Sequence, residues 1–423
     1  MMRAFRRPAV LLMAVTLGVA GARDAKTAAD HGRFSQGRAV SDWSLIAQNA
    51  IVAVGRRFPG EAAVHMGIVH ATIYDAIVAI EGGYRPFAIT TTAPPNTSVD
   101  AAIAAAAHRV LVARFPDQQA ALDDLYFAYL NGLEDGEAKS NGIQVGEEVG
   151  MGMLQLRAND GLDSVVPYVQ RASGAGVYEP TASAPPLGTR MPNVRPLALE
   201  RASQFRPEGP PALRSLEYAR DFNEVKTLGR VDSSVRTADQ TAVALFWTDH
   251  DIPQWNRSLL RLAADRGLSS IETARMLAMA HVAGGDAMIG CFDAKYEYLS
   301  WRPLHAIRRA DTDGNSHTVP DPAWQPVLAT PNHPEYPSAH ACHTTAIAEA
   351  LESFFGPGRL RFSIDSLVTG ETRSYARFKE VVEEVNNARV WAGFHFRSSQ
   401  EDGSTLGRRV GRFVVRNFFQ PLE

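Results

Sequence analysis

The chain has 423 residues, of which 45% are hydrophobic and 21% charged, with a formal net charge of −3 and two cysteines. That length holds two domains or one large one, and the balance is ordinary for a globular protein. A charge so near neutral excludes a strongly basic nucleic-acid-binding chain, so any basic site must be local.

Arg3, Arg6 and Arg7 precede an apolar stretch from Pro8 to Ala20, and Ala20-Gly21-Ala22 supplies small residues for cleavage. Residues 1–22 therefore read as a secretory signal, with an apolar stretch shorter than the about 20 residues that span a bilayer. A secreted or periplasmic protein is the expectation. No later segment has 18 or more consecutive apolar residues, so no membrane span is expected after cleavage.

After a polar stretch to about Val40, apolar residues recur at spacings of three and four. They predict helices over Trp43–Val54, Ala62–Ile80, Val99–Arg114, Gln118–Asn131 and Gly136–Arg157. A proline- and glycine-rich stretch, Ser173–Pro211, reads as a long loop between two helical halves. Helices resume over Ala212–Thr227, Ala238–Thr248, Ser258–Arg266, Ser270–Ile289, Ala341–Phe355, Tyr375–Val390 and Leu406–Phe419. Alternating strand patterns are nearly absent, and no repeat recurs at a fixed period. The expected architecture is all-α: an N-terminal helical domain with its linker over residues 23–205, packed against a second bundle over residues 206–423.

Three segments of the second half concentrate the chemistry: Lys295–Pro303 (KYEYLSWRP), Pro337–His340 (PSAH) and Arg389–His395 (RVWAGFH). Lys295 and Arg302 differ by two helical turns, which places both cations on one helix face, with Pro303 ending that helix. Ser338 and His340 stand at a helix start, where the free amide of Ala339 attracts anions. Arg389 and His395 fall on different faces of an unbroken helix, so the chain is expected to break near Gly393 and turn both inward. Taken singly each residue has an ordinary reading, Arg389 as a partner of Glu383 or Glu384 for instance. Together they make a cradle for a tetrahedral oxyanion with a histidine aimed at its central atom.

The pattern K-x6-RP, PS-x-H, R-x5-H, over about 100 residues from Lys295 to His395, resembles the signature shared by vanadium-dependent haloperoxidases and type 2 phosphatidic acid phosphatases (the PAP2 superfamily). The resemblance implies that Lys295, Arg302 and Arg389 bind the equatorial oxygens of vanadate or phosphate, and that Ser338 and the Ala339 amide complete the cradle. It makes His395 the axial vanadium ligand in a peroxidase, or the nucleophile of a phosphatase, and His340 the acid/base residue. It also implies two bundles of about four helices, with the oxyanion site in the C-terminal bundle. In the peroxidase Lys295 would polarise bound peroxide toward halide.

Two positions depart from the family pattern. Ala339 stands where the family usually has glycine, which is compatible with the cradle if its φ is negative. Ser399 stands where haloperoxidases usually carry an aspartate four residues after the axial histidine, and Asp402 or Glu401 is expected to replace it.

Among other candidates, His333 occupies a position that faces the halide side in the resembling family, and Phe292 is a candidate pocket wall. His343 is a candidate for the layer behind the site or the core, and His305 reads as a surface residue. Asp249, His250 and Asp251 suggest a metal set, but their adjacency suits a loop or cap better. Cys291 and Cys342 are expected as buried free thiols, with one disulfide as the alternative.

The leading expectation is a vanadate-dependent haloperoxidase that takes hydrogen peroxide and halide, with a small organic substrate as a further partner. A soluble acid phosphatase working through a phosphohistidine at His395 is the alternative. A non-catalytic oxyanion-binding protein is the third reading, motivated by Ala339 and Ser399.

Overall fold

The protein is described by a computed structural model over residues 38–358 and 360–422. The expected export signal, residues 1–22, lies outside them. The first half holds α1 (Ala39–Gln48, continued by a π-helical turn Asn49–Val54), α2 (Pro59–Glu81), α3 (Val99–Arg114), α4 (Gln119–Asn131) and α5 (Glu137–Leu156). The second holds α6 (Leu216–Leu228), α7 (Ala238–Phe246), α8 (Asp251–Arg266), α9 (Ser270–Tyr298), α10 (Pro303–Arg308), α11 (Ala339–Phe355), α12 (Phe378–Trp391) and α13 (Arg397–Asn417). The all-α expectation holds, and local signals explain the helix starts. Pro59 opens α2 after extended Phe58, and capping boxes at Thr237/Gln240 and Ser269/Glu272 open α7 and α9.

The central contact is α2 against α9, each buried over most of its length. By length and composition α2 would also suit a bilayer, but here Gly60 to Val78 are buried in the bundle. Where the two helices cross, His70 and His281 stack with centroids 4.5 Å apart and planes 9° from parallel. Burial holds both rings neutral, His70 down at about 3. The Nε2 atom of each ring meets a polar neighbour: Asn256 Oδ1 lies 3.0 Å from His281 Nε2 and accepts from Ser44 Oγ, which lies 3.1 Å from His70 Nε2.

Around that crossing one arrangement occurs twice. Asp75 on α2 accepts the amides of Phe87, Ala88 and Ile89, and Asp286 on α9 accepts those of Leu197, Ala198 and Leu199. Gly142, Gly146 and Gly150 let α5 lie directly on α3, as Gly403, Gly407 and Gly411 let α13 lie on α11. A Cβ at Gly146 would come 2.4 Å from the Ala102 carbonyl, and one at Gly407 would come 2.2 Å from that of Cys342. A repeat therefore exists; its counterparts are separated by unequal intervals, which is why no fixed period reveals it.

Three sequence expectations need correction. The stretch before α12 forms an antiparallel hairpin, β1 (Phe362–Asp365) with β2 (Thr372–Tyr375), so Tyr375 ends a strand and the helix starts at Phe378. Helix α8 begins at Asp251 and not Ser258, because Pro253 lies in a first turn whose amides need no partner. Most consequential, Lys295 and Arg302 do not share a helix. α9 ends at Tyr298, Leu299 turns left-handed (φ 48°), and Ser300–Trp301 run extended with Trp301 donating to the Gly176 carbonyl. Arg302 is the extended residue before Pro303, which opens α10.

Candidate active site

Four chain segments bring the predicted residues together. Lys295 comes from the last turn of α9, Arg302 from the start of α10, Ser338–His340 from the start of α11, and Arg389 with His395 from either side of the α12–α13 turn. That turn is where expected: α12 stops at Trp391, Gly393 takes φ +80°, and its missing Cβ leaves room for the Gly229 carbonyl.

Lys295, Arg302 and Arg389 are buried, at 0%, 0% and 3% exposure. Burial pushes Arg302 down to about 10 and Arg389 to about 9, and lowers Lys295 as well. Lys295 Nζ donates to the carbonyls of Pro334 and Glu335 at 2.9 Å and of Pro337 at 2.5 Å, so all three of its hydrogens brace the loop that leads into α11. Arg302 Nε donates to the His333 carbonyl, and Nη1 to the Phe394 carbonyl, with His395 Nε2 3.2 Å away. Arg389 Nη1 donates to the Trp247 carbonyl, and its guanidinium lies 4.7 Å from the Phe394 ring centroid. It pairs with neither Glu383 nor Glu384; the latter accepts from Trp247, Arg373 and Tyr375.

A tetrahedral oxyanion fits this donor set. Ser338 stands at the N-cap of α11 but makes no cap hydrogen bond, and its buried hydroxyl has no protein partner. Arg389 Nε and His340 Nε2 are likewise buried without partners. Buried donors left idle beside three cations call for a polar ligand. Ala339 is the first helical residue and has no positive φ, so its methyl group does not disturb the free amides there.

The two histidines sit in different surroundings. Burial drives His395 well below its usual range, and Arg302, Lys295 and Arg389 add to the shift. Burial and then Arg389 lower His340 to about 3, so its imidazole is neutral. Behind His340 lies Asp251, fully buried, with Oδ2 3.2 Å from His343 Nδ1. Burial alone would raise this carboxyl; His343, His340 and His250 hold it well below the carboxylate range. The sequence reading missed this placement of Asp251. Asp249, just before the helix, accepts from Arg257 and from the Leu367 amide in the hairpin loop, and makes no cap hydrogen bond to the helix. Among the described residues no three His, Cys, Asp or Glu side chains are set to hold a metal ion.

The carboxylate expected beside His395 is also elsewhere. Glu401 is exposed and Asp402 accepts from Tyr336 Oη at 2.7 Å, while Glu335, not anticipated, places Oε1 2.9 Å from His395 Nδ1. His333 lies in the site, 3.0 Å from Arg302 Nη2 and 5.3 Å from the Phe292 ring, which itself packs on Phe58. His305 is half-buried on α10, outside the site. Cys291 and Cys342 are buried free thiols. The proline-rich stretch reaches the site too: Asn332, next to His333, accepts from Tyr178 Oη and the Thr181 amide, and donates to the Ala184 carbonyl.

This mostly helical fold is shared with vanadium haloperoxidases of solved structure. The chain superimposes on the crystal structure of a bacterial vanadium-dependent iodoperoxidase with a TM-score of 0.79 at 22% identity, covering 92% of this chain and 98% of that one. The apo and holo forms of a bacterial vanadium-dependent chloroperoxidase give TM-scores of 0.67 at 16% and 17% identity, over 83% and 85% of this chain and 91% and 93% of theirs. More specifically, residues 275–423, which carry all the motif residues, match the family described as the VCPO second helical-bundle domain. No curated protein matches the chain.

Proposed function

We propose that this protein is a vanadate-dependent haloperoxidase, which oxidises halide with hydrogen peroxide to a hypohalous species. The observation that carries the reading is the set of idle buried donors, Ser338 Oγ and Arg389 Nε, beside three buried cations and a neutral imidazole. Full-length likeness to haloperoxidases supports peroxide chemistry over phosphate-ester hydrolysis in the same pocket.

Bound vanadate supplies a Lewis-acidic centre that activates peroxide toward halide without changing oxidation state. The protein's part is electrostatic and positional. Arg302, Arg389 and Lys295 offset the charge of the oxyanion in a pocket shielded from water, where each interaction is stronger than at the surface. Ser338 Oγ and the Ala339 amide would donate to the oxyanion, and Lys295 Nζ would share its hydrogens between the loop carbonyls and that anion. His395, neutral and with Nε2 facing the cations, would be the side chain that ligates the group. His340, neutral at working pH with Nε2 unpaired, would serve as the acid/base residue there. His333 and Phe292 form the wall on the halide side.

The test is to load the protein with vanadate and follow halogenation of a cyclic diketone with peroxide and each halide, alongside phosphate-ester hydrolysis by vanadate-free protein. Halogenation suppressed by phosphate and lost in His395→Ala is the expected result. Hydrolysis inhibited by vanadate, with no halogenation, would refute the proposal in favour of a phosphatase acting through His395. Vanadate binding with neither activity would point to a binding protein.

A further inference from the structure

We propose that Glu335 is the positioning residue for His395, replacing from the loop before α11 the carboxylate that the family pattern puts four residues after the histidine. The inference rests on the oxyanion-site reading above. Both side chains are buried, Glu335 at 1% and His395 at 2% exposure. Oε1 lies 2.9 Å from His395 Nδ1 and accepts the Phe396 amide at 3.0 Å, so one oxygen holds the ring and the backbone next to it. A carboxylate there requires the proton on Nδ1 and leaves the Nε2 lone pair toward the cations, where Arg302 Nη1 stands 3.2 Å away.

Position 399 addresses the same atom. Ser399 is fully buried and its Oγ lies 3.4 Å from His395 Nδ1, on the long side for a hydrogen bond. The aspartate expected in a relative at that place would compete with Glu335 for one proton. The relocation joins two tasks in one loop. The Glu335 carbonyl accepts from Lys295 Nζ, and the carbonyl of His333, two residues earlier, accepts from Arg302 Nε. The orientation of the histidine and the placement of two cations are thus set by residues 333–337.

The test compares the full chain with Glu335→Gln, Glu335→Ala, and Glu335→Ala combined with Ser399→Asp. Isotope-edited histidine NMR on vanadate-free protein reads the tautomer of His395, and vanadium NMR reads affinity for orthovanadate. Glu335→Gln keeps an acceptor and retains the Nδ1–H form. Glu335→Ala loses the single tautomer and binds orthovanadate about 10- to 100-fold more weakly. Adding Ser399→Asp to it restores most of both, which a merely structural loss would not allow.

Three results would overturn the proposal: Glu335→Ala keeping tautomer and affinity, Glu335→Gln falling as far as Glu335→Ala, or a double variant folded by circular dichroism yet unrescued. If the unmodified chain binds neither orthovanadate nor inorganic phosphate, the oxyanion reading fails instead, and the tautomer measurement still decides the role of Glu335.

Discussion

Replacing Lys295 with methionine separates the two tasks this residue faces, since methionine keeps much of the length and none of the donors. Three charge-assisted hydrogen bonds to the carbonyls of Pro334, Glu335 and Pro337 disappear. At about 1.5–3 kcal/mol each they sum to roughly 5–9 kcal/mol. Removing a fully buried ammonium recovers desolvation of several kcal/mol, so the net loss of stability is about 2–4 kcal/mol. Urea unfolding followed by circular dichroism measures it as a lower midpoint at unchanged slope. Inorganic phosphate binding on the same samples gives the second readout, which is expected to weaken as well. A variant as stable as the parent that nonetheless loses phosphate binding would refute the bracing role and show Nζ to serve the pocket alone.

Because folded His340 resists protonation until about 3 while an unfolded histidine titrates near 6.5, the unfolded chain gains a proton first as pH falls. Stability is therefore full above 6.5 and declines on acidification; His340→Gln flattens that decline by about 1.4 kcal/mol per pH unit between roughly pH 6 and 4. Urea titrations across that window check it, and parallel curves for the two proteins would count against a neutral buried imidazole. Gly407→Ala sets helix propensity, a gain of about 1 kcal/mol, against a methyl group 2.2 Å from the Cys342 carbonyl. The clash is with backbone and cannot be relieved by a rotamer, so overpacking of about 1–3 kcal/mol or more prevails. A higher melting temperature in Gly407→Ala would show the two helices to be less tightly packed than described.

The sequence carried the site further than it carried the fold's detail, and for a physical reason. Motif spacing reports which donors exist and in what order, so Ser338, His340, Arg389 and His395 were legible, as was the break at Gly393, where only a residue without Cβ accommodates the turn. Helical spacing also suggested one face for Lys295 and Arg302. It failed because Leu299 adopts a left-handed conformation that its side chain disfavours and that tertiary pairing of Ser300 and Trp301 imposes. Glu335 went unnoticed and Asp251 was read as a loop or cap residue for a related reason: each meets its histidine across a long interval of chain, and a carboxylate beside prolines or at a helix start has an ordinary local meaning. The hairpin of β1 and β2 was missed since most of its positions are polar and each strand is only four residues long.

The stacked histidines at the crossing of α2 and α9 bear on how the molecule can be divided. All the motif residues lie in the second half, which invites the idea of a minimal catalytic fragment. Yet α9 is buried almost throughout, and its covering partner in the first half brings His70, the Ser44 contact and a continuous apolar flank. Cutting the chain between the halves would leave a long greasy helix bare, with Asn256 and His281 missing their ring-stacking and hydroxyl neighbours. The chemistry is local in sequence, but folding is a joint property of both halves, and a truncated C-terminal fragment is expected to aggregate before it can bind its anion.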